Sequence, residues 1–275
     1  MKNLLRYRFA SLKEARFYVL VFSFIAFVIL VSCFLHFITI SKKESVTCSL
    51  INEVPILGQK FAYSMHMTLL TTLPLFSYCL GLILGYVFIS SDFEKKRLRM
   101  IFGSSLGKRM FYRNGILASN LVGLSFVFAY WLFFAVFSFW IWPVEAKEGN
   151  IFFSAFSTLL CSIVLFWVSL LFFSTIGVLT KKGSLTCIFG LLIFFVAILH
   201  TIVMINEKKI LSMDRGPFTL NDELNLVSKN PIASFVLLSR YGDSSALWNY
   251  LGVGVVALPF LYVLGRLVYE KKEVA

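Results

Sequence analysis

Six long apolar stretches constrain the fold of this chain more than any other feature of its sequence. Each is about 20 residues or longer, which is what a helix needs to cross about 30 Å of hydrocarbon. Strands of an outer-membrane barrel would instead appear as alternating segments of about ten residues, and the sequence has none. The sequence therefore predicts an all-α, polytopic membrane protein, with residues 1–275 as one transmembrane domain and spans at about 17–40, 69–90, 115–142, 151–180, 185–205 and 247–268.

The composition supports lipid as the solvent of this chain. Hydrophobic residues make up 59% of the sequence and charged residues only 15%. A soluble domain has about 25% charged residues and still needs a surface that water can wet. A soluble fold of this composition is therefore excluded.

The net charge of +12 predicts the orientation of the spans. If the N-terminus is cytoplasmic, the basic excess lies in residues 1–16, the loop 92–114, Lys181 with Lys182, and the C-terminal tail. All of these segments then lie on one side of the membrane, as the positive-inside rule requires. The sequence therefore predicts that both termini are cytoplasmic, and no nucleic-acid partner is needed to explain the charge.

Three segments outside the spans have patterns of their own. Residues 1–16 interleave apolar and basic side chains, which favours an interfacial amphipathic helix over a plain basic flank. Residues 92–114 favour a short cytoplasmic helix parallel to the membrane, with a solvated basic loop as the alternative. In the external segment 206–246, Asn230 and Pro231 are typical of the start of a short helix that dips into the outer leaflet, and an ordinary loop is equally compatible.

The spans offer little chemistry. They carry no Asp or Glu at mid-depth, whereas proton- and sodium-coupled carriers usually need an intramembrane carboxylate. No nucleophile–base pair or paired carboxylates indicate an enzyme. Gly103 to Lys108 resembles a phosphate-binding loop, but it is one residue short and lacks the Ser or Thr that would reach magnesium. We therefore expect no catalytic residues and no cofactor bound by this chain.

Two small motifs each allow a structural and a functional interpretation. Met65, His66 and Met67 form a soft cluster that suits cuprous ion, but packing methionines beside an interfacial histidine are the favoured reading, so no metal is predicted. Gly81 and Gly85 form a G-x-x-x-G motif in the second span, which predicts close helix packing. The packing partner is either another helix of this chain or a second subunit.

An N-terminal interfacial helix, six spans and a charged, helix-like loop after the second span resemble the permease subunit of a type-2 ATP-binding-cassette (ABC) exporter. The motif-level likeness covers about Gly85 to Val122, through Asp92-Phe93-Glu94-Lys95-Lys96-Arg97, Gly107-Lys108-Arg109-Met110 and Arg113-Asn114-Gly115. Asn230-Pro231 is similar to the external re-entrant segment of that family.

The resemblance implies a complex in the bacterial cytoplasmic membrane. Two permeases, identical or homologous, would pair with a dimer of ATPase subunits that bind ATP and magnesium. The segment from Asp92 to Arg99 would be the coupling helix that docks into the ATPase, through Asp92, Phe93, Glu94, Lys95, Lys96, Arg97 and Arg99. The passengers of similar proteins include peptides, lipids, drugs and factors for metalloenzyme maturation.

A second interpretation belongs to another functional class. The chain would then be an ATPase-independent membrane protein that acts by binding, such as a bacteriocin-immunity or scaffold protein. Stoichiometric co-purification with an ATPase separates the two interpretations.

Overall fold

The computed structural model describes residues 57–91, 108–136, 150–182, 185–186, 188–193, 196 and 244–271, and these are helical apart from the two residues that follow the third long helix. The four long helices are α1 (Leu57–Gly85), α2 (Lys108–Ala135), α3 (Asn150–Thr180) and α4 (Ser244–Lys271). A π-helical segment, Tyr86–Ser90, continues α1. The all-helical expectation therefore holds over the described residues.

Three stretches are long and apolar enough to cross a membrane: Thr72–Ser90, Lys108–Ala135 and Ala155–Thr180. They overlap the predicted second, third and fourth spans. Helix α4 covers the predicted sixth span, and part of the fifth is helical within residues 185–196. The first predicted span and the interfacial helix 1–16 lie outside the described residues, so the total of six spans stays a prediction.

The helices extend beyond the apolar stretches that predicted them. Helix α1 begins at Leu57, well before the apolar stretch that starts near residue 69, and α2 begins at Lys108, ahead of Gly115. Hydropathy marks the part of a helix that suits lipid, but backbone hydrogen bonds continue the helix into the charged interface. Apolar boundaries therefore underestimate helix length at polar ends.

Helix α3 is the centre of the described bundle. Its most deeply buried side chains include Phe166, Leu170 and Phe173, and α1, α2 and α4 all pack against it. The outward faces of α2 and α4 carry exposed apolar side chains, among them Phe133, Val256 and Phe260. Apolar residues on the outside of a bundle are what a lipid environment requires.

Candidate functional site

One end of the bundle collects the charges of α2, α3 and α4. Seven basic residues define this basic end: Lys108, Arg109, Arg113, Lys181, Lys182, Arg266 and Lys271. Contacts between the helix ends bring these segments together. The ammonium of Lys108 donates a 3.2 Å hydrogen bond to the backbone carbonyl of Glu270, and a Cβ built at Gly265 would lie 2.7 Å from Oγ1 of Thr175.

The basic end keeps a strong positive excess. Its single described acid, Glu270, is engaged by Arg266 at 2.8 Å, one helical turn away. Arg109 and Arg113 are exposed and have no ion pair within the described ranges. Cations that are left unpaired in this way suit anionic lipid headgroups or an acidic protein surface.

Three tyrosines join α2 to α4 at the basic end. Tyr112 is fully buried, and its ring centroid lies 5.2 Å from that of Tyr269 and 6.0 Å from that of Tyr262. Its hydroxyl occupies space where a side chain at position 265 would stand, since a Cβ at Gly265 would come within 2.5 Å of that oxygen. We call this cluster of Tyr112, Tyr262 and Tyr269 the tyrosine clamp.

Helix α1 reaches the same end through its π-helical segment. The hydroxyl of Ser90 lies 3.4 Å from two carbonyl oxygens, that of Gly85 in α1 and that of Ser174 in α3, and donates to them in alternation or as a shared bond. Ser91 donates a hydrogen bond of 2.7 Å to the carbonyl of Val87. Both serines are buried. A π-helical turn is a rare local distortion that occurs often at functional sites. Here it lies directly before the predicted coupling segment.

Glycines bring the backbones of α1 and α3 close together. A Cβ built at Gly81 would lie 2.7 Å from the carbonyl oxygen of Phe166 and 2.9 Å from the amide nitrogen of Leu170. At Gly85 it would lie 2.9 Å from the carbonyl oxygen of Leu170. Backbone atoms cannot rotate away as side chains can, so this approach requires glycine. The glycine face of α1 is thus covered by α3 of the same chain.

A groove of about 440 Å³ separates α2 from α4, and α3 forms its floor. It lies next to the tyrosine clamp, since Tyr262 contributes to both. Its lining is mainly apolar and includes Ile116, Asn120, Trp167, Leu171, Val255 and Pro259. The amide oxygen of Asn120 and the indole nitrogen of Trp167 are buried without a hydrogen-bond partner in the part of the chain that the structure describes.

The predicted site residues fall into three groups. Gly81 and Gly85 lie in the α1–α3 contact. Met65, His66 and Met67 lie in α1, where Met65 is partly buried against the core. The described residues contain no group of three His, Cys, Asp or Glu side chains that could hold a metal ion. The coupling segment, with Asp92, Phe93, Glu94, Lys95, Lys96, Arg97 and Arg99, and the external pair Asn230 and Pro231 lie outside the described residues.

The sequence alone does not predict the tyrosine clamp or the groove. The clamp joins two helices that are far apart in the sequence, with Tyr112 on α2 and Tyr262 and Tyr269 on α4. Aromatic residues are common in membrane helices, so no local sequence pattern indicates that these three lie close together. A signal was available for the groove, because Asn120 and Pro259 are conspicuous polar and helix-breaking residues inside apolar stretches. The sequence does not show that the two face one groove.

Comparison with known proteins adds no relative. No protein-family model matches this sequence, and a search of curated proteins finds no significant match.

Proposed function

We propose that this chain is the membrane-spanning permease subunit of an ABC exporter, and that an ATPase dimer docks at its basic end. In this proposal, the chain crosses the bacterial cytoplasmic membrane six times and has both termini in the cytoplasm. A second permease, identical or homologous, completes the translocation path. The chain itself has no catalytic role and binds no cofactor, since ATP and magnesium belong to the ATPase subunits.

The observation that carries the proposal is the meeting of α1, α2, α3 and α4 at the basic end. Residues 92–107, which include the segment from Asp92 to Arg99, connect Ser91, after the π-helical segment, to Lys108 at the start of α2. Both ends of this connection therefore lie within the assembly of helix ends. Cations on one end of a membrane bundle are typical of the cytoplasmic side. A partner that moves this segment would act on both helices at once.

The π-helical segment supports the same function. It carries Ser90, whose hydroxyl bonds to the backbone of α3, so a displacement of the coupling segment would reach α3 through this contact. Helical hydrogen bonding in a π turn is already rearranged, which makes such a segment a suitable place for a change in helix geometry. Through this contact, a movement of the coupling segment would be passed on to α3 at the centre of the bundle.

The test is co-purification of the tagged chain with the ATPase subunit from the native membrane. Reversing two charges, in the double variant Glu94→Lys and Arg97→Glu, is expected to abolish co-purification while the chain still inserts. A matched control in the predicted external segment, Glu207→Lys with Lys209→Glu, also reverses two charges at constant net charge, and it is expected to retain the ATPase.

Two results would contradict the proposal. An ATPase that co-purifies equally with the double variant removes the coupling role of the 92–99 segment. A chain that purifies without any ATPase, under conditions in which other membrane complexes of the same preparation stay intact, favours the ATPase-independent binding protein.

A further inference from the structure

Two residues that line the groove between α2 and α4 have buried polar atoms without a hydrogen-bond partner in the described part of the chain. The indole N–H of Trp167 is a donor and the amide oxygen of Asn120 is an acceptor, and both atoms are buried without a partner in the described part of the chain. Buried polar groups in native proteins are nearly always paired, and the exceptions call for an explanation. A bound molecule that supplies the missing partners is such an explanation.

Proline also frees a backbone acceptor in the helix that forms one wall of the groove. Pro259 lies inside α4 and has no N–H, so the carbonyl of Val255 cannot receive its usual helical hydrogen bond from residue 259. Both residues line the groove, and Val255 is 57% exposed. Freed carbonyls in membrane helices are commonly paired again by neighbouring groups, and they occur at binding sites in transporters.

The lining of the groove disfavours charged ligands. It contains no charged side chain, and its other members are aliphatic or aromatic. An ionic ligand would lose its hydration here without gaining a counter-charge, which is strongly unfavourable. The volume of about 440 Å³ falls within the range of about 300–1,000 Å³ that is usual for small-molecule sites.

We propose that this groove binds an uncharged, largely apolar molecule that carries one neutral hydrogen-bonding group, an amide or a hydroxyl. Such a group donates to Asn120 Oδ1 or to the carbonyl of Val255 and accepts from Trp167 Nε1. The apolar remainder lies along the aliphatic walls. The inference rests on the proposed function in one respect, because it identifies this molecule with the substrate that the exporter transports. The binding site itself does not require an ATPase.

The experiment compares two photoreactive probes on the purified full-length chain in lipid nanodiscs. One is a short alkyl diazirine that ends in a primary amide, and the other is the matched diazirine that ends in a methyl group. The amide probe is expected to label peptides of α2, α3 and α4 at a concentration about threefold to tenfold lower than the methyl probe, because a net hydrogen bond changes affinity by about that factor.

Variants then test the two polar side chains separately. Asn120→Leu and Trp167→Phe are each expected to raise the concentration of amide probe that labelling needs, part of the way to that of the methyl probe. The double variant is expected to make the two probes equal, while labelling by the methyl probe stays unchanged. The matched control is Trp131→Phe, because the indole of Trp131 already donates to the carbonyl of Ala155 at 2.9 Å and does not line the groove. The control is expected to retain full labelling by the amide probe.

Three results overturn the inference: equal labelling by the two probes, labelling confined to peptides outside the groove, or no labelling of the folded chain. The last would show that protein covers the groove. Co-purification of the ATPase is measured separately, so loss of this inference leaves the proposed function standing. Conversely, if the probes label the groove but no ATPase co-purifies with the chain, the binding site stands and its proposed role in ABC transport is wrong.

Discussion

Helix α3 makes two very different contacts on its two sides. Against α1 it packs backbone to backbone, with Gly81 and Gly85 leaving no room for a methyl group. On the other side α2 and α4 flank it, meet at the tyrosine clamp, and leave a groove beside it. The first contact brings two backbones together. On the other side, Gly254 and Gly265 of α4 pack against side chains of α3, and the rings of the clamp join α4 to α2 at one end only.

This difference assigns separate roles to the two sides. In lipid, helices gain little from burying apolar surface, so close packing and interhelical hydrogen bonds hold them together. Gly81 and Gly85 pack closely on α3, and Ser90, in the segment that continues α1, donates to the backbone of α3. Tyr78 of α1 also donates a 2.9 Å hydrogen bond to the carbonyl of Gly190, beyond α3. Among the described residues, the clamp and the Lys108–Glu270 hydrogen bond join α2 to α4, and both lie at the basic end. We therefore expect α1 and α3 to form a rigid unit and α4 to move relative to α2.

The largest effect is expected from Gly81→Ala, which places a methyl group against the backbone of α3. The free energy of unfolding is expected to fall by about 2–3 kcal/mol, because the two backbones must separate or bend. Thermal unfolding of the purified chain in detergent measures this change.

Gly252→Ala is the matched control for this substitution. Gly252 is also a helical glycine, but a Cβ at its position meets no atom within 4 Å. Alanine there is expected to leave stability unchanged or to raise it by up to about 1 kcal/mol, since glycine is the poorer helix former. Equal destabilisation by the two variants would show that the α1–α3 contact is no tighter than the rest of the bundle.

A smaller effect is expected from Tyr112→Leu, which breaks the tyrosine clamp. Loss of the two ring contacts and of part of the buried side chain is expected to lower the free energy of unfolding by about 1–2 kcal/mol. Spin labels on α2 and α4 are expected to show a longer and broader distance distribution, while a label pair on α1 and α3 is expected to show no change.

Phe260→Leu controls for the loss of an aromatic ring on α4. Phe260 is 69% exposed, so its replacement is expected to change neither stability nor the distance between α2 and α4. An unchanged distance in Tyr112→Leu would mean that the clamp does not hold the two helices together.

Parts of this comparison were predictable and parts were not. The G-x-x-x-G spacing of Gly81 and Gly85 predicts close packing, because it places two small residues on one helix face. It does not identify α3 as the partner, since that depends on long-range contacts without a local pattern. Likewise, Pro259 marks an interruption in α4, but its place beside Asn120 and Trp167 depends on how three helices meet. Apolar length predicts that helices exist, and small or polar residues indicate only that something packs there.

The smallest effect is expected at the end of α3, the helix that the two regions share. Lys181 adopts a left-handed conformation with φ of 55°, and its amide donates a 3.0 Å hydrogen bond to the carbonyl of Gly177, the usual pattern of a glycine that ends a helix. Lys181→Gly is therefore expected to raise the free energy of unfolding by about 0.5–1 kcal/mol, because glycine adopts this conformation without strain.

Lys182→Gly removes the same charge at a position without positive φ and is expected to give no gain. Lys181 is not among the residues that line the groove, so the gain is expected to persist unchanged in the Gly81→Ala and Tyr112→Leu backgrounds. A gain that differs between those backgrounds would show that the end of α3 is coupled to one side of the bundle.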